Sequence, residues 1–346
     1  MTIKNVRYTI KTKMDYRHKL SVIIISMNEE EHIAECISSV LEATKDIDSE
    51  VILVDSASTD KTIDIARRYP IRILQSKPSW KLSSAAGRYL GFRYSSGEYV
   101  QFVDGDMSLS RKWVEEGISF LDKNNEAAGV MGAITQEYSK SPIDKRFLRE
   151  LKKTKVKKPE EVKYFFGSGL FRSRILREVG SFNPHITAIE ERELCDRISA
   201  KGYHLWLLPH HMCHHYVDGD YDIWKTWKKK VIYSIGEGQV FRLSFFNRIP
   251  IERFLVYKFR FLAILFSLFG LLSLFMLLIF GYPYPILLWL SGLFSLFFYY
   301  FLEEKDFRYA IVHSVFFCIT WPFFIKGIFK QVEDPCTYPV NVKIIK

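Results

Sequence analysis

Two kinds of apolar patterning alternate along the first half of the chain. Short β-branched runs, SVIII (21–25) and VILVD (51–55), are too short for helices and predict buried strands. Ile71–Leu74 and YVQFVD (99–104) predict two more. Between them the spacing turns helical. Asn28–Leu41 places Ile33, Ile37, Val40 and Leu41 on one face, Ser58-Thr59-Asp60 caps a helix running to Tyr69, and Ser83–Tyr94 predicts a third helix. Strands alternating with helices imply a parallel sheet covered on both faces, with ligands beyond the carboxyl ends of its strands. Glu29, Asp55 and Asp104 all fall at such ends.

The pattern changes after residue 223. A basic stretch, 224–260, carries Lys225, Lys228, Lys229, Lys230, Arg242, Arg248, Arg253, Lys258 and Arg260. Phe261–Phe280 is then free of charge, long enough for a hydrocarbon core of about 30 Å. Gly281-Tyr282-Pro283-Tyr284-Pro285 predicts a turn, and Ile286–Leu302 a second uncharged span. The basic flank places itself in the cytoplasm and the turn outside, with Tyr282, Tyr284 and Trp289 at the far interface. Ala310–Ile325, broken by His313 and Pro322, reads as an interfacial, re-entrant segment or a third span, followed by a basic tail. The division expected is an extension (1–19), an α/β domain (20–223), a membrane-proximal region (224–260), a transmembrane hairpin (261–302) and a third apolar segment with its tail (303–346).

Residues 1–19 have no apolar leader core, so the α/β domain is expected to remain cytoplasmic on a multi-pass membrane protein. A net charge of +10 favours anionic partners, and its position beside apolar segments favours anionic membrane lipids over nucleic acid. A second basic arm, KRFLRELKKTKVKK (145–158), fits the same surface or a solvated helix. Cys36, Cys195, Cys213, Cys318 and Cys336 form no CxxC pair and are odd in number, which suits a reducing compartment.

The chemistry centres on carboxylates. Asp104 and Asp106 flank a glycine at the end of an apolar strand, a hard-oxygen arrangement suited to Mg2+ or Mn2+ on a diphosphate. Alone, Asp-Gly-Asp is also a common turn. Asp55 ends VILVD before Ser56–Asp60, a strand end and helix cap that is compatible with Asp60 capping and Asp55 serving as a ligand. His210, His211, His214 and His215 flank Met212 and Cys213 without zinc-finger spacing.

The ordered set SVIIISMNEE (21–30), VILVDSASTD (51–60), AAGRYLG (85–91), GEYVQFVDGD (97–106), FGSGLFRS (166–173) and EERELCDRI (190–198) resembles glycosyltransferase family 2, over roughly Leu20–His215. The resemblance implies a GT-A fold, Rossmann-like, and inverting transfer from a nucleotide-activated sugar, expected to be a UDP-sugar. It implies that Glu29 and Asp55 contact the nucleoside and Arg88 the nucleotide and its phosphates. Asp104 faces ribose or metal, Asp106 binds Mn2+ or Mg2+, and Gly169 lies in a loop near donor sugar and acceptor. Glu190-Glu191 matches an acidic pair whose second member, usually Asp, is the general base, with Glu190 in reserve. A histidine about 20 residues beyond that pair can ligate the metal, and His214 fits best.

The departures are Ile25 where Pro is common, Met27 where Tyr is, Tyr89 where Asn is, and the longer Glu191. Gln239 and Arg242 lack the Trp of the processive QxxRW signature, so single addition is expected. A cytoplasmic, membrane-apposed site points to a lipid-linked saccharide or polyprenyl phosphate as acceptor. A nucleotidyltransferase is disfavoured because no Gly-rich basic loop, Walker motif or GxGxxG follows the first strand. A non-catalytic membrane protein binding nucleotide sugars or lipids is the other alternative. It leaves the acids of Asp104, Asp106 and Glu191 unexplained.

Overall fold

A computed structural model describes residues 16–136, 151–152, 154–216, 223–246 and 257–346. The described residues up to Tyr216, with Val332–Lys346, form one compact unit, and those from Ile223 to Gln331 form a second.

The first unit is built on a mixed sheet. Strands β1 (His18–Ser26), β2 (Ser49–Asp55), β3 (Arg72–Gln75) and β4 (Gly97–Asp104) lie parallel in the order β3-β2-β1-β4. Their apolar runs are buried on both faces, as parallel strands require. Beyond β4 the expected all-parallel sheet gives way to antiparallel pairing with β8 (Leu170–Arg172), and on through β6 (Ala127–Gln136), β9 (His204–His215) and β5 (Met107–Leu109). β7 (Glu160–Val162) pairs with β9, and β10 (Lys343–Ile344) adds an antiparallel edge to β3. The sequence division runs 303–346 as one segment, whereas residues 332–346 belong to the sheet unit.

The helices of this unit are α1 (Ile33–Thr44), α2 (Thr62–Ala66), α3 (Ser84–Tyr94), α4 (Trp113–Lys123), α5 (Ser173–Val179) and α6 (Glu190–Ala200). α1 buries the predicted face of Ile33, Ile37 and Val40 but starts five residues later than expected. Asn28 is left-handed (φ 59°), and its side chain accepts from Thr59 N at 2.8 Å, so residues 28–32 form a clasp instead. α3 is capped by Ser83, which accepts from Ala86 N. Its small residues let it lie close on the sheet: a Cβ on Gly91 would come within 2.2 Å of Ile23 Cγ2.

The second unit contains α7 (Ile223–Phe246), α8 (Lys258–Phe280), α9 (Tyr284–Glu304), α10 (Phe307–Ile319) and α11 (Trp321–Phe329). Lys258–Phe280 and Tyr284–Glu303 are long and apolar enough to cross a membrane, and α10 with α11 is a third possibility, bent by 42°. α7 and α11 cross at two glycines: a Cβ on Gly238 would lie 2.8 Å from Gly327 Cα. Trp289 ties α8 to α9: its Nε1 donates to Phe266 O at 3.0 Å and its ring closes on Gly270.

Candidate active site

The chain winds from β1 through β2 to β3 on one side and returns to place β4 on the other. The switch point therefore lies between β1 and β4, where Ile25 pairs with Asp104. Gly105 N donates to Ile25 O at 2.8 Å, and a Cβ at Gly105 would press on Glu29, Ile25 and Ser26 at 3.2 Å. The glycine of the triplet is thus needed to seat the acids against β1.

Asp55 ends β2 beside Ser26. It is fully buried and accepts from Ser58 N (2.9 Å), Ser58 Oγ (2.5 Å) and Gln75 Nε2 (3.1 Å). Both of its carboxylate oxygens shape the loop after β2, in which Ala57 is left-handed (φ 58°). Glu29 is half-buried and its backbone N donates to Thr62 Oγ1 at 2.8 Å.

Arg88 is the hub of the site. Its side chain is 3% exposed, with Nη2 donating to Asp104 Oδ1 at 2.7 Å and Nη1 to Glu190 Oε1 at 2.7 Å. Glu191 Oε1 stands 3.6 Å from the same Nη1. Gly167 lies directly over the guanidinium: a Cβ there would meet Nη2 at 2.0 Å. The Phe182 ring centroid is 5.5 Å from Arg88 Cζ. Through these two bonds the guanidinium forms a clasp between carboxylates.

Glu190 and Glu191 open α6. The preceding Ile189 is left-handed (φ 55°), a conformation that crowds a β-branched residue and turns the chain into the helix. Arg197 anchors the helix by donating to Glu193 at 2.7 Å and to the carbonyls of Val179 and Ser181. Glu190 is sealed at 6% side-chain exposure, whereas Glu191 keeps 25%. Burial pushes the Glu190 pKa up, the neighbouring Glu191 charge adds to this, and Arg88 opposes both. Burial also raises Glu191, against the pull of Arg88. Burial alone would lower Arg88, but Asp104, Glu190 and Glu191 outweigh it and hold it charged.

β9 lies between β5 and β6, so successive residues face opposite sides of the sheet. His215 reaches the triplet, with Nε2 3.1 Å from Asp106 Oδ2. His214 Nδ1 lies 3.1 Å from Thr135 Oγ1. Asp106 Oδ1 is buried with no hydrogen-bond partner among the described residues. An orphaned carboxylate oxygen beside a second acid and an imidazole fits a hard or borderline cation. Among the described residues no three such groups already converge as a complete cage.

Gly169 serves packing, because its Cβ would strike the Phe171 and Phe165 rings, and its carbonyl accepts from Phe102 N at 3.1 Å. Of the basic arm, 145–150 and Lys153 lie outside the described residues, while Lys152, Lys155, Lys157 and Lys158 are exposed. Sequence reasoning did not single out Gln75, Gly167 as a seat for Arg88, Phe182 or His215.

Residues 21–180 match the family model described as Glycosyl transferase family 2. The match takes in a little under half of the chain, which is similar to this family over those residues. Over 200 residues the chain is 28% identical to glycosyltransferase AglE of Haloferax volcanii, covering 54% of this chain and 63% of that protein. It is 33% identical over 114 residues to a dolichol-phosphate mannosyltransferase of Pyrococcus furiosus, covering 32% of each. The chain thus spans less than two thirds of either relative. The mannosyltransferase PcManGT of Pyrobaculum calidifontis, solved with GDP-Man and Mn2+, superposes with a TM-score of 0.52 at 17% identity, over 93% of this chain and 89% of that one. At this identity the likeness shows the fold alone, a GT-A fold.

Proposed function

We propose that this protein is an inverting glycosyltransferase that moves a sugar from a nucleotide-activated donor to a membrane-associated acceptor. The observation that carries the reading is the continuous link from Asp104 through Arg88 to Glu190 and Glu191. One buried guanidinium holds the donor-side acid and the acidic pair in fixed relation, which is the orientation that a two-substrate displacement needs.

In this mechanism Glu191 is the general base, being the more exposed member of the pair. It takes the proton of the acceptor hydroxyl, the acceptor oxygen bonds to the anomeric carbon, and the carbon–oxygen bond to the diphosphate breaks. The electron pair leaves with the nucleoside diphosphate, and attack opposite the leaving group inverts the centre. Glu190 holds Arg88. Asp106, with Asp104 and His215 beside it, would hold Mn2+ or Mg2+, which when bound neutralises charge on the leaving diphosphate. The Mn2+ and GDP-Man of the PcManGT structure support this choice of cofactor and donor class. Glu29 and the loop shaped by Asp55 face the nucleoside.

The acceptor is proposed to be a lipid-linked saccharide or polyprenyl phosphate. The apolar helices Lys258–Phe280 and Tyr284–Glu303 support anchoring in a membrane, with the basic flanks and the catalytic domain on the cytoplasmic side and anionic lipids as neighbours. The exposed Lys152, Lys155, Lys157 and Lys158 are proposed to meet the carrier phosphate. A donor screen with detergent-purified protein, Mn2+ and a membrane lipid extract tests the reading. Label moving from one UDP- or GDP-sugar into the lipid fraction supports it. Donor binding without transfer or hydrolysis would instead favour a nucleotide-sugar-binding protein.

A further inference from the structure

Residues 332–346 follow the last apolar helix and lie well outside the family 2 match, yet they are part of the sheet unit. They enter it as an edge. Lys343 and Ile344 pair antiparallel with Gln75 and Leu74 of β3, Ile345 N donates to Ile73 O at 2.9 Å, and Ile73 N donates to Lys346 O at 3.0 Å. This covers the open edge of the parallel sheet.

The part that precedes β10 reaches further. Tyr338 is 3% exposed, and its hydroxyl donates to Lys81 O at 2.7 Å. Its ring meets those of Trp80, Tyr89 and His185 edge-on at 6.0, 6.2 and 5.6 Å. Next to it, Thr337 Oγ1 lies 3.0 Å from His185 Nε2. The Lys81 ammonium in turn donates to the carbonyl of His185. Three chain segments therefore meet on one tyrosine. The first runs from Gln75, which bonds Asp55, to Ser83, the cap of α3. The second is α3 itself, where Tyr89 adjoins Arg88. The third runs from Asn183 to Ile189 and delivers Glu190.

We infer that Tyr338 is a positioning residue for transfer, holding these segments in the register that brings Arg88 against Glu190. The inference rests on the transferase reading above. A ring clamped between two loops fixes their separation at small entropic cost, and displacing a reacting group by about 1 Å can cost on the order of 100-fold in rate. Tyr338 touches neither carboxylate, so its removal acts through Arg88 and Glu190.

The test compares Tyr338→Ala, Tyr338→Phe and Thr337→Val in the full detergent-purified chain. Turnover, donor KM, Mn2+-dependent nucleotide-binding stoichiometry and melting temperature are measured for each. The expected result is that Tyr338→Ala loses turnover by on the order of 10- to 100-fold per nucleotide-binding site, with donor KM changed far less. Tyr338→Phe, which keeps the ring and loses only the bond to Lys81 O, recovers most of it. A Tyr338→Ala protein with wild-type turnover per binding site overturns the inference. If that variant does not fold, Thr337→Val decides: reduced turnover at unchanged melting temperature supports positioning, and unchanged turnover refutes it. Wild-type protein inactive with every donor would sink the transferase reading itself, a different result from active wild type with an equally active Tyr338→Ala.

Discussion

Arg88 and Glu190 are separated by 102 positions in the chain and by 2.7 Å in the structure. Both are nearly sealed from solvent, so each charge depends on the other. Removing the cation alone strands a buried carboxylate. Arg88→Met is therefore expected to destabilise the domain by about 3–5 kcal/mol. The double variant Arg88→Met with Glu190→Gln should recover part of that loss, because the most buried of the carboxylates around Arg88 no longer carries a charge. Thermal unfolding in detergent of Arg88→Met, Glu190→Gln and the double variant checks this. A double variant less stable than the sum of the single ones would contradict the pairing.

The acidic pair also carries a pH signature. Burial raises the pKa of Glu190 and Glu191, so the folded chain holds their protons more tightly than the unfolded one. The stability this contributes is complete below the ordinary carboxylate range and drains away as pH rises through the raised values. Transfer needs Glu191 ionised, so turnover climbs over the same interval. Stability and turnover should thus move in opposite directions with pH there. A pH profile of kcat with parallel melting curves checks this. An acidic limb at the ordinary glutamate value would place the base elsewhere.

Asp106 offers a cleaner test of the metal site. Its Oδ1 has no donor among the described residues, and its Oδ2 faces His215. Asp106→Asn keeps the shape and removes the charge. Mn2+-dependent nucleotide affinity should fall by at least about tenfold, near 1.4 kcal/mol, with little change in melting temperature. His215→Ala should weaken the same Mn2+ dependence more than His214→Ala does. Titration calorimetry with and without chelator reports both effects.

Much of the donor half was legible in the sequence because it is local. Period and burial mark β1, β2 and β4, and strand ends mark Asp55 and Asp104. The glycines of α3 and Gly105 are forced by contacts with the adjoining strand β1, which the pattern already implies. What was not legible is set by distant pairing. The link from Arg88 to Glu190 forms only when α6 brings the glutamate to it. The contact of His215 with Asp106 depends on the face that β9 presents beside β5, a one-residue matter of register. Had the pairing of Met107 with His215 been foreseen, alternation along β9 would have selected it. The return of residues 332–346 carried no signal either, because two residues pairing with an edge strand leave no period to read.

The most direct test of the account is the behaviour of Glu191→Gln. The substitution keeps size and hydrogen-bonding reach but cannot accept the acceptor proton. In the full chain with Mn2+, a radiolabelled nucleotide sugar and the lipid extract that supports wild-type transfer, the variant should bind donor with wild-type affinity. Its transfer should fall by about 100-fold or more. Transfer at the wild-type rate would show that Glu191 is not the base and that the acidic pair serves only to hold Arg88.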